Sequence, residues 1–487
     1  MKVKDILIRQ KKNKKVAITY KKQRIRYSEL YREALNHSQR IRMNSSNRNI
    51  GIFFHNSINY AVAYFTVAFL DKVIIPIEDN IRGCLLSSMI NYCEISLVIT
   101  DNDNIERLIE MLEDVSFKLD LYNISTGERL VVGKGDYIRQ GDEDEEDVVI
   151  MLHTSGTTSN PKKVMLTNTN LIANIESNIK SLGITSEDVS LIVLPMFFGY
   201  CNSSQFLSHL YIGASIVIYD SVFVPRKFFN MIDTEKCTNT TCVPSMLFLV
   251  INNAKREDYD LSTLRYLCFG GGVMPIEKLK KISIFFGQTR IIQTYGQTEA
   301  SPRVTCLLPV DADRKMGSVG KAIPNVVIDI FDEEDNQVKR GEVGQIVVKG
   351  PNVMKGYYKQ EEETRRVLKN GWLHTGDLGI IDDEGYLYVV GRIKNIIISG
   401  GLNIYPEEIE EVLINHPCIS EVMVYGEADE ILSEVPVAKV VLKDGIKCAE
   451  NELKNFVLKK LAPNKVPRRF IYCDGLERTN TGKIKRK

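Results

Sequence analysis

A segment rich in small hydroxyl residues has the composition of a phosphate-binding loop. It reads HTSGTTSNPK over residues 153–162, and the apolar run before it, residues 148–152, predicts a strand. Backbone N–H groups, side-chain hydroxyls and one lysine charge can together wrap a phosphate chain. The spacing differs from that of a GxxxxGK[ST] loop, so the mechanism of that loop does not transfer. A polar loop without a ligand is the alternative interpretation, because Ser/Thr/Gly runs commonly form turns.

Five further segments carry residues that can bind or polarise a ligand. They are QTYGQTEA (residues 293–300), GWLHTGD (371–377), GRIK (391–394), SGGLNIYPEE (399–408) and TNTGK (479–483). An aromatic ring offers a flat surface to a flat base, and a carboxylate offers two acceptor oxygens. Taken singly, each segment has an ordinary interpretation as a turn, a surface charge or a solvated terminus. Their order along the chain is what makes them informative.

In this order the segments resemble the signature motifs of the adenylate-forming superfamily, which includes acyl-CoA and aryl-CoA synthetases, nonribosomal peptide synthetase adenylation domains and luciferases. The resemblance begins with LHTSGTTSNPKKV at residues 152–164 and continues to residue 483. It implies that ATP and Mg²⁺ are used to convert a carboxylic acid into an acyl-adenylate, with release of pyrophosphate. The acyl group would then pass to the thiol of CoA or of phosphopantetheine.

The resemblance assigns most of these residues to the nucleotide. The β- and γ-phosphates would be held by Thr154, Ser155, Gly156, Thr157, Thr158 and Lys162. The adenine would be enclosed by Tyr295, Gly296, Gly271, Gly272 and Val273. An aromatic face on one side and side-chain-free glycine on the other would let the base approach closely.

The remaining nucleotide and catalytic roles also follow from the resemblance. Asp377 would accept hydrogen bonds from both ribose hydroxyls, with Arg392 at the same sugar. Thr298 and Glu299 would contact the α-phosphate and hold Mg²⁺, since carboxylate and phosphate oxygens suit a hard cation. Lys483 would bridge the substrate carboxylate and the phosphate, stabilising charge on the transferring oxygens. No nucleophilic side chain is needed, because the substrate's own carboxylate attacks the α-phosphate.

A hinge and a thiol tunnel complete the implied machinery. Lys394 would be the hinge about which a small C-terminal domain rotates between adenylation and thioester formation. Gly400 and Gly401 would line the pantetheine tunnel in the second arrangement. A bulky side chain at Gly401 is therefore expected to block thioester formation and to spare adenylation.

The acid-binding pocket is expected at LPMFFGY, residues 194–200, with a lining of Phe198, Gly199, Tyr200, Cys201 and Gln205. These side chains suit an apolar acyl or aryl acid, although aromatic residues here could equally be core. No Asp or Glu occurs between residues 191 and 219, so an α-amino acid would lack a partner for its ammonium. A stand-alone amino-acid adenylation enzyme remains an alternative.

Two positions depart from the family pattern, and the acceptor stays open. Ser159 stands where glycine is common, and Lys163 stands where a second glycine usually follows the lysine. Lys163 is expected to add positive charge to the loop. The printed chain ends four residues after Lys483, so free CoA or a separate carrier protein is the expected acceptor. A non-catalytic nucleotide-binding protein and a luciferase-like oxygenase are the other candidate functions.

The amino-acid composition limits the classes of partner that the protein is expected to bind. The 63 basic and 62 acidic residues leave a formal charge of +1, which gives no electrostatic case for nucleic acid or for a membrane surface. The longest apolar run, residues 61–70, is half the length of a membrane span, and no signal peptide is recognised. The ten cysteines show no CxxC pair or zinc pattern and fit a reducing cytoplasm.

The elements that must position these residues alternate in type. Residues 50–54 and 73–77 predict strands and residues 60–70 a buried helix between them, which indicates an α/β fold. Beyond residue 394, helices are predicted at 406–413 and 450–461 and strands at 421–425, 435–442 and 469–473. We therefore expect a large multi-layer N-terminal AMP-binding domain over residues 1–393 and a small mobile α+β C-terminal domain over residues 394–487.

Overall fold

The computed structural model describes residues 1–41, 48–81, 83–138, 147–153, 162–253, 256–272, 274–478 and 484–486. Several sequence-predicted site residues lie outside this part of the chain: Thr154, Ser155, Gly156, Thr157, Thr158, Val273 and Lys483, together with Ser159. The roles that the family resemblance gives to them stay predictions.

The strands of the described chain are β1 (Val16–Tyr20), β2 (Gln23–Arg26), β3 (Asn49–Phe53), β4 (Val73–Ile77), β5 (Leu97–Thr100), β6 (Leu119–Asn123), β7 (Arg129–Val132), β8 (Val148–His153), β9 (Lys163–Thr167), β10 (Val189–Ile192), β11 (Ser215–Ile218), β12 (Asn239–Cys242), β13 (Tyr266–Phe269), β14 (Arg290–Gly296), β15 (Arg303–Leu307), β16 (Lys321–Ala322), β17 (Val327–Phe331), β18 (Gly344–Lys349), β19 (Gly356–Tyr357), β20 (Leu368–Lys369), β21 (Trp372–Ile381), β22 (Leu387–Arg392), β23 (Ile397–Ser399), β24 (Leu402–Ile404), β25 (Ile419–Asp429), β26 (Ser433–Leu442) and β27 (Arg469–Tyr472).

The α-helices are α1 (Asp5–Gln10), α2 (Tyr27–Arg40), α3 (Ile58–Phe69), α4 (Gly83–Tyr92), α5 (Ile105–Leu112), α6 (Asn168–Leu182), α7 (Gly199–Cys201), α8 (Ser208–Ile212), α9 (Pro225–Thr234), α10 (Pro244–Asn253), α11 (Ile276–Phe286), α12 (Pro309–Ala312), α13 (Glu361–Val367), α14 (Pro406–Leu413) and α15 (Glu450–Leu458). A π-helical segment, Asn202–Leu207, joins α7 to α8. Among the described residues, no helix is both long enough and apolar enough to cross a bilayer.

Two large sheets form the N-terminal layers. One has nine strands in the order β16-β15-β14-β13-β12-β10-β11-β1-β2, and the other has eight in the order β19-β9-β8-β4-β3-β5-β6-β7. Helix α3 contacts strands of both sheets, and ten of its twelve residues are buried. A helix that is apolar on every face is stable only inside a core, as the sequence predicted for residues 60–70. The α/β expectation is confirmed.

The smaller sheets lie C-terminal to these layers. The first has the order β17-β18-β21-β20, with β22 on β21, and the second the order β24-β23-β26-β25, with β27 on β26. In the second, α14 begins with Pro406 and buries Ile409 and Leu413 in a separate apolar cluster. Proline suits the first helical position, and the spacing of three and four residues places these side chains on one face. The predicted small α+β unit is present.

Parallel strand ends define the position of the site. Strand β13 pairs in parallel with β14, with Phe269 opposite Gln293, so β14 runs three residues further. The chain beyond β13, which begins Gly270-Gly271-Gly272, therefore lies beside Thr294, Tyr295 and Gly296. In α/β sheets this edge, outside the carboxyl ends of the strands, is where ligands bind.

Candidate active site

A cleft of about 1330 Å³ lies at this edge of the nine-stranded sheet. Its walls include eleven of the sequence-predicted residues, namely Lys162, Phe198, Gly199, Tyr200, Gly271, Tyr295, Gly296, Thr298, Glu299, Arg392 and Lys394. The described residues Cys201, Gly272, Asp377, Gly400 and Gly401 are not part of the lining. The fold thus brings residues from positions 162 to 394 together in one cavity.

At one end of the cleft, a carboxylate organises an aromatic ring and an arginine. Asp377 is 4% exposed; its Oδ1 lies 2.7 Å from Nε of Arg392, and its Oδ2 accepts a hydrogen bond of 2.8 Å from the hydroxyl of Tyr295. Burial and the charge of Asp377 raise the pKa of Tyr295 well above its usual value, so the phenol stays protonated and donates. Asp377 therefore fixes two residues that face the cleft and lies behind them.

Gly296 ends β14 where two backbones meet. A Cβ atom at this position would lie 1.7 Å from the carbonyl oxygen of Pro302. Only glycine permits this approach, because any side chain would collide with backbone that cannot rotate away. Gly296 consequently sets the turn that carries the chain from Tyr295 to Thr298 and Glu299.

Cation and carboxylate groups converge at the other end of the cleft. Nζ of Lys162 lies 2.6 Å from Oε2 of Glu363 and 4.7 Å from the centre of the Tyr357 ring. The Tyr357 hydroxyl donates a hydrogen bond of 2.8 Å to Oε1 of Glu299. The backbone N–H of Met354 donates to the carbonyl of Glu299 at 2.9 Å, which fixes the turn. Lys162 is thereby held over the ring of Tyr357, and Glu299 is held at its hydroxyl.

The donor set at this end fits a hard divalent cation. Glu299 uses Oε1 for Tyr357, and a carboxylate has a second oxygen and further lone pairs to offer a metal. Thr298, the preceding residue, adds a hydroxyl to the same stretch of cleft wall. Mg²⁺ binds through one or two carboxylates completed by phosphate oxygens and water. Glu299 is therefore the residue that would hold Mg²⁺ together with nucleotide phosphates.

The amine of Lys163, which was expected to add positive charge to the loop, is buried in the structure. Its side chain is 1% exposed, and its Nζ contacts Nε2 of His153, its cross-strand partner in β8, and the sulfur of Met89 at 3.2 Å. Burial lowers the pKa of Lys163 to about 8 and that of His153 well below its usual value. Strand pairing points this amine inward, whereas the adjacent Lys162 faces the cleft.

The wall expected to bind the acid is built around Tyr200. Phe198, Gly199 and Tyr200 line the cleft, and the Tyr200 hydroxyl lies 2.8 Å from Oγ1 of Thr294. The Arg303 guanidinium lies 5.6 Å from the centre of the Tyr200 ring. Sequence reasoning missed Arg303; its signal is one arginine opening the apolar strand RVTCL directly after the Thr-Glu motif.

Two residues of the predicted acid pocket are corrected. Cys201 is fully buried in the core, because one residue along a helix turns the side chain about 100° away from that of Tyr200. Gln205 is 1% exposed and donates to Ser190 and to the carbonyl of Leu191, so its amide is used inside the protein. Neither side chain belongs to the cleft wall.

After β22 the chain leaves its sheet through a short 3₁₀ turn, Ile393–Asn395, whose Lys394 faces the cleft. Burial lowers the pKa of Lys394, and the nearby Arg392 contributes. Asn395 donates a hydrogen bond of 3.0 Å to Glu407 of α14. Strand β23 of the C-terminal sheet begins at Ile397. Gly400 and Gly401 form the tight turn between β23 and β24, away from the cleft. Rotation about Lys394 stays a prediction.

Two family models match the chain: AMP-binding enzyme over residues 8–358 and AMP-binding enzyme C-terminal domain over residues 408–483. The long-chain-fatty-acid–CoA ligase of Bacillus subtilis (strain 168) is 36% identical over 346 residues, which span 70% of this chain and 61% of the relative. The indoleacetate–CoA ligase of Aromatoleum aromaticum is 32% identical over 439 residues, 89% of this chain and 86% of the relative.

Solved structures match almost the whole chain. ATP-bound MatB from Rhodopseudomonas palustris has a TM-score of 0.87 at 25% identity, covering 99% of this chain and 97% of its own. O-succinylbenzoate coenzyme A synthetase (MenE) from Bacillus subtilis with AMP has a TM-score of 0.84 at 28% identity, covering 98% and 96%. One family model spans residues 8–358 and a second spans residues 408–483 of the C-terminal unit. The chain therefore belongs to the adenylate-forming superfamily of AMP-binding enzymes.

Proposed function

We propose that this protein uses ATP to convert a carboxylic acid into an acyl-adenylate and then transfers the acyl group to the thiol of coenzyme A. The observation that carries the proposal is the convergence of Lys162, Glu299 and Arg392 in one cleft with Tyr295. These residues supply a phosphate-binding cation, a metal-binding carboxylate and an arginine beside an aromatic face. A site with these three functions matches the needs of adenylation and exceeds those of simple nucleotide binding.

In the first half-reaction, a carboxylate oxygen of the acid attacks the α-phosphorus of ATP, and the bond from that phosphorus to the leaving pyrophosphate breaks. Lys162 would hold the departing phosphates, while Tyr295 and Arg392, both fixed by Asp377, would orient the adenosine. Mg²⁺, when bound at Glu299, neutralises charge on the phosphate oxygens. Such prepositioned charges stabilise the transition state without moving at the moment of reaction.

In the second half-reaction, the thiolate sulfur of coenzyme A attacks the acyl carbon, a C–S bond forms and AMP leaves with the electron pair of the broken C–O bond. Coenzyme A is favoured as acceptor because both named sequence relatives are CoA ligases. A carrier protein bearing phosphopantetheine presents the same thiol, so the acceptor is assigned by assay. Rotation of the C-terminal unit about Lys394 would move Lys483 out of the adenylation site and bring the thiol tunnel to it.

The acid is proposed to be acyl or aryl rather than an α-amino acid. Phe198 and Tyr200 provide aromatic wall, and the charged group beside Tyr200 is the cationic Arg303. A guanidinium would repel the ammonium of an amino acid, whereas a bound α-amino group needs a carboxylate partner. The two sequence relatives differ in acid, one being named for a fatty acid and one for indoleacetate, so they do not define it further.

Acid-dependent ATP–pyrophosphate exchange tests the first half-reaction directly. We expect exchange to require Mg²⁺ and one class of acid, and thioester to form only when coenzyme A is added. Lys483→Ala should abolish exchange while a supplied acyl-adenylate is still converted to thioester. Tight ATP binding without exchange for any acid would contradict the proposal and would favour a non-catalytic nucleotide-binding protein.

A further inference from the structure

Arg303 is a buried cation that no carboxylate balances within the described part of the chain, where the thiol of Cys268 is a weak polar neighbour. The residue is 2% exposed, yet it forms part of the cleft wall. Within the described part of the chain, Nε, Nη1 and Nη2 all lack a hydrogen-bond acceptor. Its backbone is well anchored, because Asn174 donates to the Arg303 carbonyl at 2.7 Å. The backbone is therefore fixed while the charged head group remains unsatisfied.

The guanidinium lies deeper in the sheet than Thr298 and Glu299. Arg303 is opposite Gly296 across β14 and β15, and its charge is felt by the thiols of Cys268 and Cys306 inside the sheet. Cys268 precedes the end of β13, whereas Thr298 and Glu299 follow the end of β14. The guanidinium thus lies toward the interior of the sheet, and the metal and phosphate groups lie beyond its edge.

An unpaired buried guanidinium is unfavourable, because arginine cannot lose its proton and water is excluded around it. The titratable groups that feel its charge are the phenols of Tyr200 and Tyr266 and the thiols of Cys268 and Cys306. None of these groups carries the negative charge that would balance arginine, since burial raises the pKa of Tyr200 and holds that of Cys268 at about 11. A ligand must supply the anion.

We propose that Arg303 binds a second carboxylate at the far end of the acid, so that the protein activates dicarboxylic acids. This inference rests on the proposed function. The reacting carboxylate must reach the α-phosphate near Thr298 and cannot also lie at the deeper guanidinium. Val243 and Met246 add apolar wall that suits a hydrocarbon spacer. The planar arginine fork matches a carboxylate in a bidentate pair, and such charge-assisted pairs are strong where water is excluded.

Matched acid pairs in the exchange assay give the first test. Each monocarboxylic acid, aliphatic or aromatic, is compared with the dicarboxylic acid of equal length. We expect kcat/KM to be at least about 50-fold higher for one dicarboxylate, since a buried charge pair is disrupted when one partner is missing. In Arg303→Met this preference should disappear or reverse, while Arg303→Lys should keep the preference with weaker binding. Equal losses for both members of a pair would overturn the inference.

Binding measured without catalysis separates this inference from the proposed function. Calorimetry with each dicarboxylate of these pairs should identify one that binds the wild type and whose binding Arg303→Met weakens at least about tenfold, even if no acid supports exchange. The midpoint temperature of thermal unfolding should not fall in Arg303→Met, because the substitution removes an unpaired buried charge. A lowered midpoint with unchanged dicarboxylate affinity would assign Arg303 a structural role. Equally tight binding of inorganic phosphate at the same residue would also overturn the inference.

Discussion

Asp377 and Arg392 are register partners on two antiparallel strands, β21 and β22, with Arg392 Nε 2.7 Å from Asp377 Oδ1. The same carboxylate accepts the Tyr295 hydroxyl from the nine-stranded sheet. A single buried carboxylate on β21 therefore joins its sheet to the end of β14 in the nine-stranded sheet. The family resemblance gives Asp377 a direct contact with ribose; the structure adds a positioning role through Arg392 and Tyr295.

Asp377→Asn should weaken ATP use without unfolding the protein. The amide keeps an acceptor oxygen but loses the charge that pairs with Arg392, so we expect KM for ATP to rise at least about tenfold. Tyr295→Phe removes one hydroxyl and leaves the ring, so KM should change less than about threefold. Asp382→Asn, which breaks an ion pair with Lys315 outside the cleft lining, is the matched control. Exchange kinetics over a range of ATP concentrations measure all three, and equal effects of the two asparagine variants would contradict the assignment.

Local pattern was enough to predict elements whose burial is decided within a short segment. The apolar run of α3, the strand β4 and the helix α14 with its proline start were all predicted within a few residues of their observed bounds. Strand β25 was underestimated, since it extends over Ile419–Asp429 by pairing with β26 in a long hairpin. Pairing with a distant or extended partner lengthens a strand beyond the reach of its own apolar pattern.

Side-chain orientation was the part that sequence could not predict. Lys163 and Lys162 are neighbours of the same type, yet strand alternation sends one into the core and one into the cleft. Arg303 is a site residue only because the fold sets it against Tyr200, about a hundred positions earlier in the chain. Likewise, His416, Cys418, Cys448 and Glu452 have donor atoms within 4.8 Å of one another, although their spacing shows no zinc pattern.

Lys163 should make stability depend on pH in the alkaline range. Its pKa is about 8 in the folded protein and near 10.5 when unfolded, so between these values the unfolded chain binds more protons and stability rises with pH. The gain is about 1.4 kcal/mol for each pH unit, up to about 3 kcal/mol in total. The neighbouring titratable groups are His153, Cys93 and Glu78.

Urea unfolding at several pH values measures this effect in wild type and in Lys163→Met. The difference in unfolding free energy between them should change steadily from about pH 8 to about pH 10. Lys180→Met replaces an exposed lysine on α6 and should follow the wild type throughout. A parallel pH course for wild type and Lys163→Met would show that the amine is not desolvated in the folded state.

Gly401 permits a test of the thiol tunnel that separates bulk from backbone strain. The residue has φ of 80°, and nothing lies within 4 Å of a Cβ built there. Gly401→Leu therefore adds about 1–2 kcal/mol of backbone strain together with a projecting side chain. Gly445 has φ of 74° and equally open surroundings in the same unit, so Gly445→Leu adds the same strain and side chain at a position that is not part of the predicted tunnel. We expect Gly401→Leu to slow thioester formation at least about tenfold, with exchange changed less than about twofold, and Gly445→Leu to slow neither. Loss of both half-reactions in Gly401→Leu would contradict the tunnel assignment.

Under the proposed function Lys162 changes partner when ATP binds, because its Nζ lies 2.6 Å from Oε2 of Glu363. This ion pair is about one-third exposed at each side chain and lowers the pKa of Glu363. Partly exposed ion pairs contribute up to about 1 kcal/mol, so Glu363→Gln should lower KM for ATP by up to about fivefold. Glu362→Gln is the matched control, since Glu362 pairs with Arg366 on the same helix and does not contact Lys162.

A higher KM in Glu363→Gln would mean that Glu363 holds Lys162 in its working position and does not compete with phosphate for it. The direction of the KM change decides between these two roles, and Lys162→Met combined with Glu363→Gln tests whether either acts through Lys162: the glutamine substitution should have no effect once the lysine is gone. An effect that persists would show that Glu363 acts on other groups.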